Sequence, residues 1–582
     1  MKILRHPVFL GVCTTIFTLV VILPFARLGV DAHHDGIMFA MAVAVRNGYQ
    51  IQKEVYAQYG PIVPWLQGIE LFIFGNKILV IKIFSAISIA VASGCFAYFF
   101  AKKFSLKVAF LAILIWLACF PGFDTSMMML AWSSDYLLLM FGIILVLSTG
   151  LHSPIATRNM ITRLVIGFCF GTSIFIRINS GIPVAIAFVA LVLILVKFHQ
   201  AKFYLIGFVT SFIIYLGYFA AISSLHMWYE QTIEWPRKLY IGILGDGGFD
   251  GLKGNSVVNG LPAIGVSLVI FVLVKNLEPI KSLKGVRRIL YYISIVVSPL
   301  LLNWLLGGNG KFGPLEPKLF LWAVVPAAVI FIPIAVHELL RFQSDSLLEE
   351  NIVFISIAFC GLIQVYPVVD RRHLWWAALP MLGYLLNKIF LVCTRRSGIL
   401  FIAIIGTLLV PQTVALARTS LNTERVAMKA VPTLQGSLVD KDFHSAFQLQ
   451  LQAVNDYQSI HGAKAVLNLC MDGYFATVGA KFELADPYYV LWSFPKQRWT
   501  EEVRRKFVAE TQPLIWLCPT VPNYAEMAET YGYRVVPRDV CIGDDPKFNT
   551  WPLAGQLAVP KQWPSLTIDS AALDSTRCQD KK

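Results

Sequence analysis

Residues 7–36 read PVFLGVCTTIFTLVVILPFARLGVDAHHDG, and this stretch decides how the chain is understood. An apolar run long enough to cross ~30 Å of hydrocarbon as a helix ends directly in Asp31, His33, His34 and Asp35. Charges beside lipid are costly unless they have partners or a task, so the cluster reads as ionisable chemistry at a membrane surface. Lys2 and Arg5 precede the run as they would in a signal peptide, but it is long and no small-residue cleavage site follows. It is read as an uncleaved anchor.

The rest of the chain agrees with a membrane reading. Of 582 residues, 57% are hydrophobic and 14% charged, more apolar matter than a soluble chain can hide in one core. About thirteen apolar runs of spanning length recur: 8–30, 78–101, 107–121, 127–150, 161–176, 181–196, 203–223, 260–275, 289–306, 319–336, 351–366, 374–392 and 398–417. The shorter run 62–75 carries Glu70 and reads as interfacial or re-entrant. The expected fold is an all-α polytopic membrane protein, residues 1–417 with a first outer loop at 31–75. A small α/β extracytoplasmic domain follows at 418–582.

Charge orients the bundle. Lys and Arg concentrate in cytoplasmic loops, and an N-terminus placed inside puts Lys102, Lys103, Lys107, Arg158, Arg163, Lys197, Lys202, Arg341, Lys388, Arg395 and Arg396 on that face. Most of the net charge of +14 then belongs to inner loops, which argues against nucleic acid as a partner. An odd number of spans sends the tail outside. There, strands at Ala465 to Cys470, Leu514 to Cys518 and Tyr533 to Val536 alternate with helices near 443–461, Glu501 to Thr511 and 523–531, as in a mostly parallel sheet. The turn Asp472-Gly473-Tyr474 would lie at a strand's carboxyl end, either as a ligand site or as an ordinary turn. Trp492, Trp499, Trp516 and Trp551 suit either sugar stacking or a core.

The ten cysteines divide between spans (Cys13, Cys95, Cys119, Cys169, Cys360, Cys393) and the tail (Cys470, Cys518, Cys541, Cys578). Only the tail group would meet an oxidising compartment, and its pairing is open. No Cys/His spacing suggests zinc.

Sorted by face, the suggestive residues fall outside. The first loop holds Asp31, His34, Asp35, Glu54, Gln58 and Tyr59; Arg177 and Asn179 close the fifth span; Lys311 follows the ninth; Asp370, Arg371, Arg372 and His373 follow the eleventh. Outer cations at span ends run against the charge rule, and guanidinium groups grip phosphate oxygens in bidentate fashion. The alternatives are plain ones. Asp35 could be only a helix N-cap, the arginines interfacial anchors, and Asp135, about eight residues into a span beside Ser133 and Ser134, part of a structural polar pocket.

These residues carry a resemblance. His33-His34-Asp35-Gly36, a helix ending near Asn47-Gly48, Tyr59-Gly60-Pro61 with a short apolar segment, and the late Asp370-Arg-Arg-His373 resemble the C-type glycosyltransferase (GT-C) superfamily. The chain is similar in particular to polyprenyl- and dolichyl-phosphate-sugar-dependent protein mannosyltransferases and to lipid A aminoarabinose transferases, most strongly over 27–101. The resemblance implies transfer of a sugar from a polyprenyl-phosphate donor to a hydroxyl of a glycan, lipid or protein acceptor at the outer face, with inversion. Asp35 would be the general base, with Asp31 as its substitute. Arg177, Lys311, Arg371 and Arg372, with His373, would stabilise the phosphate, while His34, Glu54, Gln58, Tyr59, Asn179 and Asp370 would shape the site. The loop lacks an Asp-x-Asp pair, so no metal or other cofactor is called for, and a divalent ion stays open. A bacterial plasma membrane is the expected location. A transporter or flippase of lipid-linked sugars, or a glycan polymerase or ligase using the loop 224–259, remains the alternative.

Overall fold

The computed structural model describes residues 6–31, 34–57, 59–124, 128–234, 345–363, 371–392, 413–429, 431–462, 465–469, 483–484, 501–517, 529–536 and 556–564. The expected spans at 260–275, 289–306 and 319–336, most of that at 398–417, and the loop beyond residue 234 lie outside these residues.

Nine helices of ten or more residues precede residue 222 in the described part or begin before it: α1 Pro7–Ala26, α2 His34–Arg46, α3 Ile62–Phe74, α4 Ile78–Lys103, α5 Leu106–Ala118, α6 Ser133–Ser148, α7 Ala156–Ile176, α8 Ile178–Leu195 and α9 Phe198–Ala221. After the short α10, Leu225–Tyr229, the description resumes at α11, Asp345–Ile363, and α12, Arg371–Val392. Among the described residues, six helical stretches are long and apolar enough to cross a membrane: Pro7–Arg27, Ile78–Lys103, Ser133–Leu151, Ala156–Ile176, Ile178–Leu195 and Phe198–Ala221. Val20 of α1, Phe72 and Ile73 of α3, Ile194 of α8 and Ile213 of α9 are exposed, as lipid-facing side chains would be. The protein is an integral membrane protein.

Two sequence expectations need correction. The run 107–121 folds as the 13-residue α5, capped by Ser105, whose hydroxyl accepts from Val108 N–H. The run 127–150 becomes helical only at Ser133, so Asp135 sits in the first turn of α6 rather than deep in a span. Its carboxylate accepts from the Trp132 N–H at 3.4 Å and so satisfies a backbone donor at the helix start.

α1 packs along α4, α4 along α6, and α7 along α9. Small residues bring these helices together. A Cβ at Gly167 of α7 would stand 2.0 Å from the Tyr204 carbonyl oxygen, and one at Gly207 of α9 would stand 2.0 Å from that of Leu164. Backbones that close gain dispersion contacts, the main attraction available between helices in lipid.

Consecutive long helices run up and down, and this sorts the charges. Lys82 lies in the second turn of α4 and Lys103 is its last residue; Arg163 lies in the first half of α7 and Arg177 caps its end. At one end Arg163 grips Glu349 of α11 with Nε at 2.7 Å and Nη2 at 2.9 Å, Tyr204 donates to the same carboxylate at 2.7 Å, and Lys103 meets Glu350 at 2.6 Å. At the other end lie Asp31, Lys82, Arg177 and the start of α12. α3 is held sideways through Tyr136, whose hydroxyl donates to both Glu70 oxygens at 2.9 and 3.1 Å.

Beyond the helical stretch 413–422, β1 (Val426–Ala427) pairs antiparallel with β2 (Leu438–Val439). Leu438 also clasps the loop after α1: its N–H donates to Arg27 O at 2.7 Å and its carbonyl accepts from Gly29 N–H at 2.8 Å. Helix α13, Lys441–His461, leads to a five-stranded sheet in the order β4-β3-β5-β7-β6. Its strands are β3 Ala465–Leu469, β4 Glu483–Leu484, β5 Leu514–Leu517, β6 Tyr533–Val535 and β7 Gln556–Pro560, with helix α14, Glu501–Thr511, preceding β5. β3 is parallel to β4 and β5, but β7 is antiparallel to β5 and β6, so the sheet is mixed rather than mostly parallel. The turn 472–474, Trp492, Trp499 and Trp551, and the tail cysteines, lie outside the described residues.

Tyr59-Gly60-Pro61 has a clear mechanical reason. Tyr59 O accepts from Ile178 N–H at 2.9 Å, which presses the turn onto the junction of α7 and α8. Gly60 has φ +140°, and a Cβ there would stand 2.3 Å from the Phe175 carbonyl oxygen. Gly75 has φ +98° but open space around it. Gly60→Ala is therefore expected to lose more than Gly75→Ala, which carries only the backbone cost of about 1–3 kcal/mol. Thermal unfolding of the two variants in detergent measures the difference, and equal losses would remove the close-contact explanation.

Candidate active site

The end of the bundle that holds Asp31 is built around a buried ion pair absent from the sequence reading. Lys82 of α4 and Asp35 of α2 both have side chains with 0% exposure, and Nζ stands 3.3 Å from Oδ2. The same ammonium donates to Gly29 O at 2.9 Å. Asp35 also accepts from the N–H of Asp31 at 3.0 Å and from that of Ala131 at 2.9 Å. A buried carboxylate needs that many donors, because desolvation is repaid only by close, complete pairing.

Asp35 is thus no N-cap in the simple sense. The capping falls to Asp31, whose Oδ1 accepts from His34 N–H at 2.8 Å and whose carbonyl accepts from Asp35 N–H at 3.0 Å. Asp31 and Asp35 are reciprocal: one caps the helix, the other reaches back to hold the cap. The Asp31 carboxylate is also the more open of the two, 22% exposed, and its Oδ2 lies 3.3 Å from His34 Nδ1. Burial pushes the Asp31 carboxyl upward, but the charge and hydrogen bonds of His34 and the charge of Arg372 reverse this and hold it well below the usual carboxylate range.

Trp132, which the sequence reading passed over, is the centre of the aromatic part. His34 lies 4.4 Å from it, Tyr59 5.8 Å and Trp376 of α12 6.0 Å, ring centroid to ring centroid. Behind this wall Arg177 is fully buried, with its guanidinium 4.8 Å from the Tyr59 ring, 5.5 Å from Trp376 and 5.6 Å from Trp132. It donates to Asn179 Oδ1 at 3.1 Å, to Ser133 Oγ at 3.3 Å and to Ser134 Oγ. Asp135 accepts from Trp376 Nε1 at 2.9 Å and contributes its charge opposite Arg177. The polar pocket expected around Asp135 is therefore real, and Arg177 is its cation. Such an arginine organises the wall and is not presented to a ligand as an open anchor would be.

Arg371, Arg372 and His373 are not loop residues but the first turn of α12. Arg372 is half-buried, close enough to Asp31 to lower its pKa, and its Nε has no hydrogen-bond partner. Glu54 is exposed, and its carboxylate closes the 50–55 loop by accepting from Gln50 N–H at 2.7 Å. The structure thus brings together Asp31, His34, Asp35, Tyr59, Arg177, Asn179 and Arg372. It gives Glu54 a loop-closing task. Gln58, Lys311 and Asp370, and the side chains of Arg371 and His373, lie outside the described residues. Among the described residues, no three His, Cys, Asp or Glu side chains gather as ligands of one metal ion.

Distant likenesses to solved membrane-enzyme structures exist. The chain is similar to the Archaeoglobus fulgidus oligosaccharyltransferase in its complex with zinc and sulfate, at TM-score 0.46 and 14% identity over 88% of this chain and 69% of that one. It is similar also to ArnT from Cupriavidus metallidurans bound to undecaprenyl phosphate, at TM-score 0.43 and 14% identity over 94% of this chain and 97% of that one. The apo form of that ArnT gives TM-score 0.39 at the same identity. No protein-family description matches the sequence, and no curated protein matches it. Likeness this distant concerns the fold alone, so the chemistry rests on the cluster itself.

Lys82→Met would leave Asp35 buried without its counter-charge and is expected to destabilise the protein by about 3–5 kcal/mol. Adding Asp35→Leu should recover much of that loss. Thermal unfolding of the two single variants and the double variant in detergent measures the coupling, and additive losses would show that the pair is not a unit.

Proposed function

We propose that the protein is a membrane glycosyltransferase that moves a sugar from a polyprenyl-phosphate donor to a hydroxyl of a glycan, lipid or protein acceptor. The observation that carries this reading is the pairing of a partly open carboxylate, Asp31, with a cation, Arg372, that has donor capacity to spare, against an aromatic wall at the mouth of a helix bundle. A lipid-borne phosphate is a competent leaving group if a fixed cation meets the charge that grows on it. Arg372 is suited to that task, and the half-buried faces of Tyr59 and His34 suit a sugar ring. Attack by the acceptor hydroxyl in one step inverts the anomeric carbon and requires no enzyme nucleophile.

The proton acceptor belongs to the Asp31 side of the loop rather than to Asp35. A carboxylate with zero exposure, held by an ammonium and two amides, is placed to fix its neighbours and not to meet a substrate. In this reading the site end faces the outside of a bacterial plasma membrane, the N-terminus is cytoplasmic, and residues 418–582 form an extracytoplasmic α/β domain. Lys311, Arg371 and His373 stay as further candidates for the phosphate, with Gln58 and Asp370 for the sugar.

The test uses purified protein in lipid nanodiscs, a panel of undecaprenyl-phosphate-linked sugars, a detergent extract of cell envelope as acceptor source, and release of undecaprenyl phosphate as the readout. Release from at least one donor is expected, with Asp31→Asn and Arg372→Ala each slowing it by on the order of 10²-fold or more. No release from any donor, or full activity in both variants, would overturn the assignment.

A further inference from the structure

His34 uses both oxygens of one carboxylate. Its backbone N–H donates to Asp31 Oδ1 at 2.8 Å and its ring Nδ1 stands 3.3 Å from Asp31 Oδ2, while its imidazole packs on Trp132 at 4.4 Å and 38°. An ionised carboxylate can only accept, so the neutral imidazole must carry its proton on Nδ1 in this contact. That leaves Nε2 as the basic nitrogen, on a ring fixed by Asp31 at one edge and by an indole at its face. The side chain is 32% exposed, against 0% for Asp35.

Resting on the transferase reading, we propose that His34, oriented by Asp31, is the group that removes the acceptor's proton. As the acceptor oxygen bonds to the anomeric carbon, the carbon–oxygen bond to phosphate breaks and its electron pair goes to the phosphate. The hydroxyl proton passes to His34 Nε2. The new imidazolium faces the Asp31 carboxylate, the new phosphate charge faces Arg372, and the proton then leaves to water.

Two considerations select His34 over its neighbours. The carboxyl of Asp31 is held below the ordinary carboxylate range, and so weak a base accepts a proton poorly near neutrality, whereas an imidazole is the side chain suited to general-base work there. The charge in direct contact with the ring is, moreover, the Asp31 carboxylate, 3.3 Å from Nδ1. It supports an imidazolium directly from the loop. The amino end of α2 and Arg372 of α12 oppose it. Asp35 on α2 is neutralised by Lys82 of α4, and Arg177 and Asp135 stand behind Trp132 and offset each other.

The experiment is the pH profile of undecaprenyl phosphate release, using whichever undecaprenyl-phosphate sugar supports turnover in the nanodisc assay. The wild type should lose kcat/KM on an acid limb. His34→Gln should lower kcat by on the order of 10²-fold with little change in KM, and the limb should vanish. Imidazole added to the medium should restore part of the turnover of His34→Ala but none of that of Arg372→Ala. If turnover exists and the limb survives in His34→Gln, or imidazole restores nothing, His34 is not the base while the transferase reading stands. If no donor is turned over by the wild type, both fall together.

Discussion

The geometry of this end of the bundle depends on one requirement: an ammonium and a carboxylate shut away from water must find each other and every donor and acceptor they need. Lys82 and Asp35 meet it with three polar contacts in addition to their own pairing, none of them close in sequence to Lys82. Gly29 carbonyl, Asp31 N–H and Ala131 N–H are drawn from the end of α1, the start of α2 and the approach to α6. Desolvating either charge alone would cost several kcal/mol, so the arrangement is cooperative: lose one partner and the others lose their reason to be where they are. Gly29 links this group to the tail as well, since its N–H is bonded to Leu438. A backbone contact formed after residue 413 therefore helps to fix a carboxylate before residue 36.

The opposite end follows the same rule with a different outcome. Arg163, Glu349 and Tyr204, joined by Lys103 and Glu350, fasten α7, α9, α4 and α11 where the helices begin or finish. There Arg163 and Lys103 each face a carboxylate at short range, and the carboxylates they meet are buried. Paired charges alone thus do not mark a site. What distinguishes the Asp31 end is that Asp31 and His34 are partly exposed and that the buried Nε of Arg372 beside them has no hydrogen-bond partner.

Much of this was legible in the residues, and the misses have physical causes. The apolar runs before residue 222 became helices because lipid-length hydrophobic segments have few other choices. The acidic loop and the cations at 177 and 372 stood out as charges next to such runs. Lys82 carries the same signal, a lone cation in the run ILVIKIFSAI, but near a helix end it reads equally as a side chain snorkelling to the interface. Asp31 and Asp35 could not be told apart, because both lie within one turn of the same helix start and either could cap it. Trp132 and Trp376 carry no local signal at all: their contact joins positions 244 residues apart only after α6 and α12 have packed. The mixed sheet was misread because strand–helix alternation predicts parallel neighbours, whereas β7 lies between β5 and β6 and runs antiparallel to both.

A division of labour follows from burial. Asp35, the expected base, and Arg177, one of the expected phosphate cations, are both fully enclosed. Such groups change protonation or ligand only if their surroundings come apart, which makes them good supports and poor reagents. Asp31 and His34 are held by those supports yet reach the surface: Asp35 fixes the Asp31 backbone, Asp31 fixes the imidazole, and Arg177 backs the indole on which the imidazole lies. A proton-transfer group has to be rigid enough to stay aligned and open enough to exchange its proton with substrate and water. Placing the rigid ion pair one layer behind the open pair satisfies both demands, and it explains why a carboxylate so prominent in the sequence is buried behind the residues that face the solvent.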